Sequence, residues 1–441
     1  MRCTILPDYE DDASHPLPLY SQRVRSSECL LQTEQPERTD CPTREWIFNS
    51  KHMRINLGRR QWKVNGPAFG LNSNIDGSVL FLKDSKRHKL QSLAVTLSGR
   101  LVTSKTDKAL SDDNSTLFLS RTIPILKPGF DPGLCERAVP FSIPFPAYLR
   151  HKGEEALCPP TFHYGDTDFT LEVTYSLSFK AVWKATPWTK SETKVLPVYY
   201  LPKTNPVVPP LCVLPPASRH LENPPLFLQG TERVASCPMP PSIRAQYATC
   251  PNGSKKQRQM LQTLKDSVYL SLPTPASFTS GQDIPFMLSL SFPNEPWLAE
   301  MLSTNLEVQL IRRMAFHRNI KTPSPSIEST LAERCTLVSS ATIWRKSGWS
   351  EGMVMLKGSI QAGDAGCEAS WVLRDSARVE YFLRVTLKPP SSCLPHIPEF
   401  VHEAPIEICT SNWGSLEREM ASSGGMTTPA VSLAANLRNY Y

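Results

Sequence analysis

Five residues, Gly348-Trp349-Ser350-Glu351-Gly352, carry the GxSxG spacing of a nucleophile elbow, where a serine hydroxyl attacks an acyl carbon. Candidate triad partners follow in hydrolase order, Asp364 and Asp375 and then His396 and His402. That chemistry needs a sharp strand-to-helix turn that lifts the serine above a parallel sheet. The residues after Gly352, Met353 to Ile360, read instead as a strand, so the pentapeptide is expected to be a hairpin loop. An esterase at Ser350 is kept only as the weakest reading, and no residue is assigned a catalytic role. The nine histidines never pair at i,i+4, the twelve cysteines form no CxxC pair, and no HExxH, P-loop or dinucleotide fingerprint occurs. Neither a metal nor a cofactor is expected.

A second cluster is electrostatic. Lys83-Asp84-Ser85-Lys86-Arg87-His88-Lys89 puts Lys83, Lys86, Arg87 and Lys89 on one short connector. Such a group attracts acidic or phosphorylated chains, and it equally suits a solvated hairpin. Both readings stand on sequence. Nucleic acid is not the expected partner, because no aromatic residues interleave with the basic ones.

The elements that must carry these residues are strands. Phe169, Leu171, Val173, Tyr175, Leu177 and Phe179 recur at every second position with polar residues between them, which predicts a long antiparallel strand with one buried face. Ahead of it, Phe141-Ser142-Ile143-Pro144-Phe145-Pro146 and Cys158-Pro159-Pro160-Thr161-Phe162 suit a sheet edge and a crossover. Further strands are expected at 77–82, 92–97, 115–125 and 195–200. A second series follows at 268–272, 286–292, 306–310, 354–360, 379–387 and 406–408. With 41 prolines against 20 glycines, this density of short strands predicts an all-β chain of two tandem immunoglobulin-like antiparallel β-sandwiches.

The organisation expected is a disordered acidic tail at 1–42, a first sandwich at 43–202, a proline-rich linker or insertion at 203–265, a second sandwich at 266–412 and a flexible tail at 413–441. The formal net charge of +7 is uneven: residues 1–42 hold four basic and eight acidic side chains (−4), and residues 43–202 hold twenty-two and fourteen (+8). The start, MRCTILPDYEDD, has no apolar signal core, and no run approaches the ~20 apolar residues of a membrane span. A cytoplasmic chain with reduced, mostly buried cysteines is expected.

In order, the features Asp76-Gly77-Ser78-Val79-Leu80, Leu93-Ala94-Val95-Thr96-Leu97-Ser98-Gly99, the phenylalanine-proline crossover with Pro159-Pro160-Thr161-Phe162, the 169–179 strand and Val195-Leu196-Pro197-Val198-Tyr199-Tyr200 resemble the N-terminal half of the arrestin fold. Leu270-Ser271-Leu272-Pro273, Thr279-Ser280-Gly281-Gln282-Asp283-Ile284-Pro285 and Val379-Glu380-Tyr381-Phe382-Leu383-Arg384-Val385 resemble its C-terminal half. The likeness is greatest to alpha-arrestins and fungal arrestin-related trafficking adaptors. It implies a non-catalytic adaptor that binds cytoplasmic tails of membrane transporters or receptors and recruits a HECT-type ubiquitin ligase through its WW domains. It also implies recruitment to the plasma membrane or endosomes, and the positive charge of the first sandwich adds an anionic membrane surface as a further expected partner. The family's PPxY motif is absent. Its LPxY variant occurs at Leu6-Pro7-Asp8-Tyr9 and Leu17-Pro18-Leu19-Tyr20, so Leu6, Pro7, Tyr9, Leu17, Pro18 and Tyr20 become the docking residues that the resemblance implies. Proline pre-sets such a segment in an extended helix that loses little entropy on an aromatic groove. A third match, Leu196 to Tyr199, falls in an expected core strand and is read as packing. The rival is a scaffold of the same fold that recruits no ligase.

Overall fold

The computed structural model describes residues 45–82, 89–107, 110–126, 138–151, 154–184, 189–209, 231–234, 255–273, 275–320, 328–350, 352–374, 376–394 and 396–437. They form two β-sandwiches. In the first, a four-stranded sheet β1 (Glu45–Asn49), β2 (Met53–Arg59), β4 (Asn74–Phe81), β7 (Val139–Pro144) faces a second sheet. That sheet runs β3 (Ala68–Phe69), β12 (Thr189–Tyr200), β11 (Phe169–Lys184), β5 (Lys89–Asp107), β6 (Leu110–Leu126), and β10 (Phe162–Gly165) also pairs with β11. A separate hairpin, β8 (Tyr148–His151) and β9 (Glu154–Leu157), interrupts the crossover.

The alternation that marked β11 sets its packing. Phe169, Leu171, Val173, Tyr175, Leu177 and Phe179 are all buried, and Phe179 meets Phe141 of the facing sheet edge to face at 5.2 Å. As its prolines require, β7 lies at a sheet edge.

The second sandwich repeats this plan. One sheet runs β13 (Thr231–Val234), β14 (Val268–Pro273), β16 (Asp283–Ser291), β20 (Met353–Gln361), β19 (Thr342–Ser350). The other runs β15 (Ser277–Thr279), β23 (Phe400–Cys409), β22 (Ala377–Leu387), β17 (Leu306–Ile320), β18 (Glu328–Ser340), with β21 (Trp371–Leu373) on β22. Each sandwich thus has a short strand pairing in parallel with its last strand, β3 with β12 and β15 with β23, and otherwise antiparallel neighbours. Two short helices cover this half. Helix α1 (Lys255–Ser267) seals Leu264 against the core, and α2 (Pro296–Thr304), with proline in its first turn, buries Leu298, Ala299 and Leu302.

Three expectations change here. The stretch 203–265, expected as a proline-rich linker or insertion, supplies β13 as a paired edge strand and most of the 13-residue helix α1. The segment 413–441, expected as a flexible tail, is folded over 413–437. Helix α3 (Ser415–Ser422) and a 3-10 helix at Val431–Asn436 strap it to the first sandwich. Backbone bonds hold the strap, from Thr427 N–H to the Leu71 carbonyl (3.0 Å) and from Ala430 N–H to that of Leu201 (2.9 Å). The approach is so close that a Cβ at Gly70 would lie 2.3 Å from the Thr427 carbonyl oxygen. Finally, of the described cysteines only Cys158 and Cys409 are buried, while Cys335 is exposed and Cys367 and Cys393 are half-buried; all five are free thiols.

Candidate functional site

The site is the seam between the sandwiches, and the proline crossover builds its first wall. Thr161 donates its backbone N–H to the Tyr200 carbonyl (2.7 Å) and accepts the Tyr200 N–H on its hydroxyl (2.8 Å). Tyr175 donates its hydroxyl to the Pro159 carbonyl at 2.6 Å, with the Cys158 thiol 3.3 Å away. Prolines have no N–H to pair, so the crossover is held through its carbonyls and Thr161 instead. Burial pushes the Cys158 thiol up to about 12 and raises Tyr200 as well, with Cys158 and Tyr148 adding to the latter shift.

Between this wall and the β21–β23 side of the second sandwich opens a cleft of about 1270 Å³. Its walls include Tyr148, Leu157, Cys158, Tyr200, Trp371 and Arg374. Tyr148 is 56% exposed, Leu157 49%, and Val372 on the opposite wall 49%, so apolar side chains from both sandwiches stand in solvent at one place. Apolar exposure concentrated on facing walls, unlike scattered single residues, marks a binding surface. Lys203, also on the wall, is neutralised by Glu419 of the strap at 2.8 Å. Although burial opposes it, hydrogen bonds from Lys203 and Thr428 hold the Glu419 carboxyl below its ordinary range.

A smaller polar cavity of about 500 Å³ lies across the same seam. Tyr381 donates to Glu368 at 2.5 Å, and Arg312 reaches the same carboxylate at 3.2 Å while its guanidinium lies 5.8 Å from the Tyr164 ring. Tyr164 in turn donates to Asp166, which pairs with Arg334 at 2.6 Å. The first sandwich therefore provides Tyr164 and Asp166, and the second provides Arg312, Arg334, Glu368 and Tyr381. Phe169 on Phe316 (5.0 Å) and Phe162 on Trp371 (5.4 Å) add ring contacts across the seam. Burial and the Glu368 charge push the Tyr381 hydroxyl well up, so it donates at every physiological pH.

The residues singled out in the sequence lie elsewhere. Leu6, Pro7, Tyr9, Leu17, Pro18 and Tyr20 fall outside the described residues, as do Lys83, Lys86 and Arg87. Lys89 opens β5, in register with Lys184 of β11. In the third LPxY match, Leu196 and Tyr199 are buried in β12, as expected. Ser350 ends β19 and pairs with Met353, and Gly352 takes the positive φ (79°) of the turn, so the GxSxG run closes a hairpin. Asp364 follows the far end of β20, about 27 Å of strand away, and His402 lies in the other sheet. His396 is exposed, and Asp375 is outside the described residues. Among the described residues, the hydrolase partners are not gathered at Ser350.

No sequence signal pointed to Tyr200, Trp371, Arg374 or the Arg312–Glu368–Tyr381 group, since each sits singly in a strand or loop and only the tandem packing brings them together. Among the described residues no group of three or more His, Cys, Asp or Glu could hold a metal ion, and no helix is long and apolar enough to cross a membrane. Compared with known proteins, the chain matches no protein-family model and no curated protein.

Proposed function

We propose that the chain is an arrestin-like adaptor, non-catalytic, that holds cytoplasmic parts of membrane transporters or receptors and brings a WW-domain HECT-type ubiquitin ligase to them. Ubiquitin-dependent endocytosis and trafficking follow, with the chain cytoplasmic and recruited to the plasma membrane or endosomes. The observation that supports this reading is the tandem of antiparallel sandwiches, in which one five-strand order of the first recurs in the second. The paired LPxY motifs at Tyr9 and Tyr20 support the ligase arm, and two copies allow bivalent capture of tandem WW domains.

The test is pull-down on an array of WW domains, comparing the wild type with Tyr9→Ala plus Tyr20→Ala. Binding by the wild type that falls at least about tenfold in the double variant supports the ligase arm. Equal binding, or none by either, leaves the scaffold without a ligase as the reading.

A further inference from the structure

The cleft between the sandwiches holds polar groups that the fold itself does not use. Tyr200 is fully buried, with its ring stacked on Phe145 at a centroid distance of 4.0 Å, yet its hydroxyl has no hydrogen-bond partner among the described residues. The indole Nε1–H of Trp371, a residue 7% exposed, is likewise unpartnered there, and so is the buried Nε–H of Arg374. All three residues line the same cleft. Buried polar atoms are nearly always paired, because one left alone carries its full desolvation penalty. Three on the wall of one cleft point to an occupant.

Shape and charge narrow its chemistry. At about 1270 Å³ the cleft exceeds the roughly 300–1,000 Å³ of ordinary ligand sites, so an elongated molecule fits. Leu71, Leu157, Val372, Phe382, Ile406 and Leu416 make much of its wall apolar. Its cations are Lys203, already paired with Glu419, and Arg374, which has no carboxylate partner among the described residues. Glu155, Glu380 and Glu407 also line it; Glu380 is paired with Arg378 at 3.2 Å, and Glu155 has an interaction of its own. With Lys203 already engaged, a single negative group on a ligand is best accepted at Arg374. Among the described residues, Arg374 is also one of two non-glycine residues with positive φ (48°), a backbone state that persists where surrounding structure enforces it.

We propose that this cleft is a binding site for a long, apolar monocarboxylate carrying a further oxygen, the chemistry of an oxygenated fatty acid. Arg374 takes the carboxylate. The Tyr200 hydroxyl and the Trp371 indole N–H donate to the ligand's oxygen atoms. The hydrocarbon body lies along the walls that Leu157 and Val372 provide. This site is independent of the LPxY motifs and of ligase recruitment.

The experiment is calorimetric titration of the full chain with 12-hydroxystearate below its micelle concentration, with stearate and the matching uncharged 12-hydroxy alcohol as comparisons. Saturable binding of one molecule per chain is expected, tighter for the hydroxy acid than for either comparison. Arg374→Gln should weaken the hydroxy acid about tenfold and abolish the preference for acid over alcohol. Tyr200→Phe keeps the ring stacked on Phe145, so the fold survives; it should weaken the hydroxy acid about fivefold and leave stearate unchanged. Thermal melts check that both variants are folded. Absence of saturable binding overturns the proposal. So does binding that neither variant alters, or binding only of peptides with a free C-terminal carboxylate.

Discussion

The two sandwiches share the strand order of one sheet, differ by an added edge strand, β19, in the other, and bury different chemistry. In the first, the fully buried side chains are hydrocarbon, aromatic rings and the Cys158–Tyr175 pair, and its only other buried polar residues among those described are Thr103 and Thr161. The second buries ions. Arg313, 3% exposed, donates to Glu403 at 2.5 Å, and Arg384 reaches the other oxygen of that carboxylate at 2.6 Å. Arg313 also lies 4.1 Å over the Phe382 ring. The strand faces differ too. Along β11 one face is buried and the other half-exposed, whereas β14 and most of β16 are buried on both faces. One topology thus tolerates a strand that alternates and a strand that does not, provided the buried polar groups are paired.

The largest effect should come from breaking the ion triad. Glu403→Ala leaves two guanidinium groups beside the vacated carboxylate, one of them fully buried, and should cost about 3–5 kcal/mol in urea unfolding of the second sandwich. Replacing Glu403 together with Arg313 and Arg384 by leucine or methionine should recover most of that loss. If the single and triple variants are equally unstable, the charges matter through shape alone. The next effect tests the faces. Met287, 1% exposed on β16, and Thr174, half-buried on β11, both stand opposite the inner face of their strand. Met287→Lys buries an unpaired ammonium and should cost about 3 kcal/mol, whereas Thr174→Lys should stay within about 0.5 kcal/mol. Similar values for the two would erase the distinction between the sandwiches.

The same contrast explains what could be read before folding. The 169–179 alternation named its own buried face correctly, because two-residue periodicity is a direct record of sidedness. Residues 268–272 and 286–292 were legible as strands but not as strands buried through, since neither a short apolar run nor an alternation says what covers the second face. Arg313 and Glu403 are charged residues inside strands, and pattern alone assigns them to solvent; only their register across β17, β22 and β23 makes them partners. The 413–437 strap was missed for another reason. Its serines, glycines and alanines carry no periodicity, and its order comes from backbone bonds to Leu71 and Leu201, which composition does not encode. The cleft is a property of two domains meeting and has no local signature at all.

The smallest effect expected belongs to that strap. Glu419 accepts Lys203 at 2.8 Å and both the N–H and the hydroxyl of Thr428, at 2.6 and 2.5 Å. Its carboxyl is held below the ordinary value in the folded chain, so the stabilisation is complete above the unfolded pKa near 4.3 and is lost as pH falls through the lower folded value. Docking of the strap should therefore be independent of pH from neutrality to about pH 5 and loosen only in stronger acid. Glu419→Gln removes the charge and should loosen it by about 1 kcal/mol at pH 7 while flattening the acid response. Hydrogen exchange at Thr427 and Ala430, whose amides bond the first sandwich, reads the docking directly. Unchanged exchange at those two amides in the variant would mean that the backbone bonds alone hold the strap, and that the charged pair beside the cleft contributes nothing to closing it.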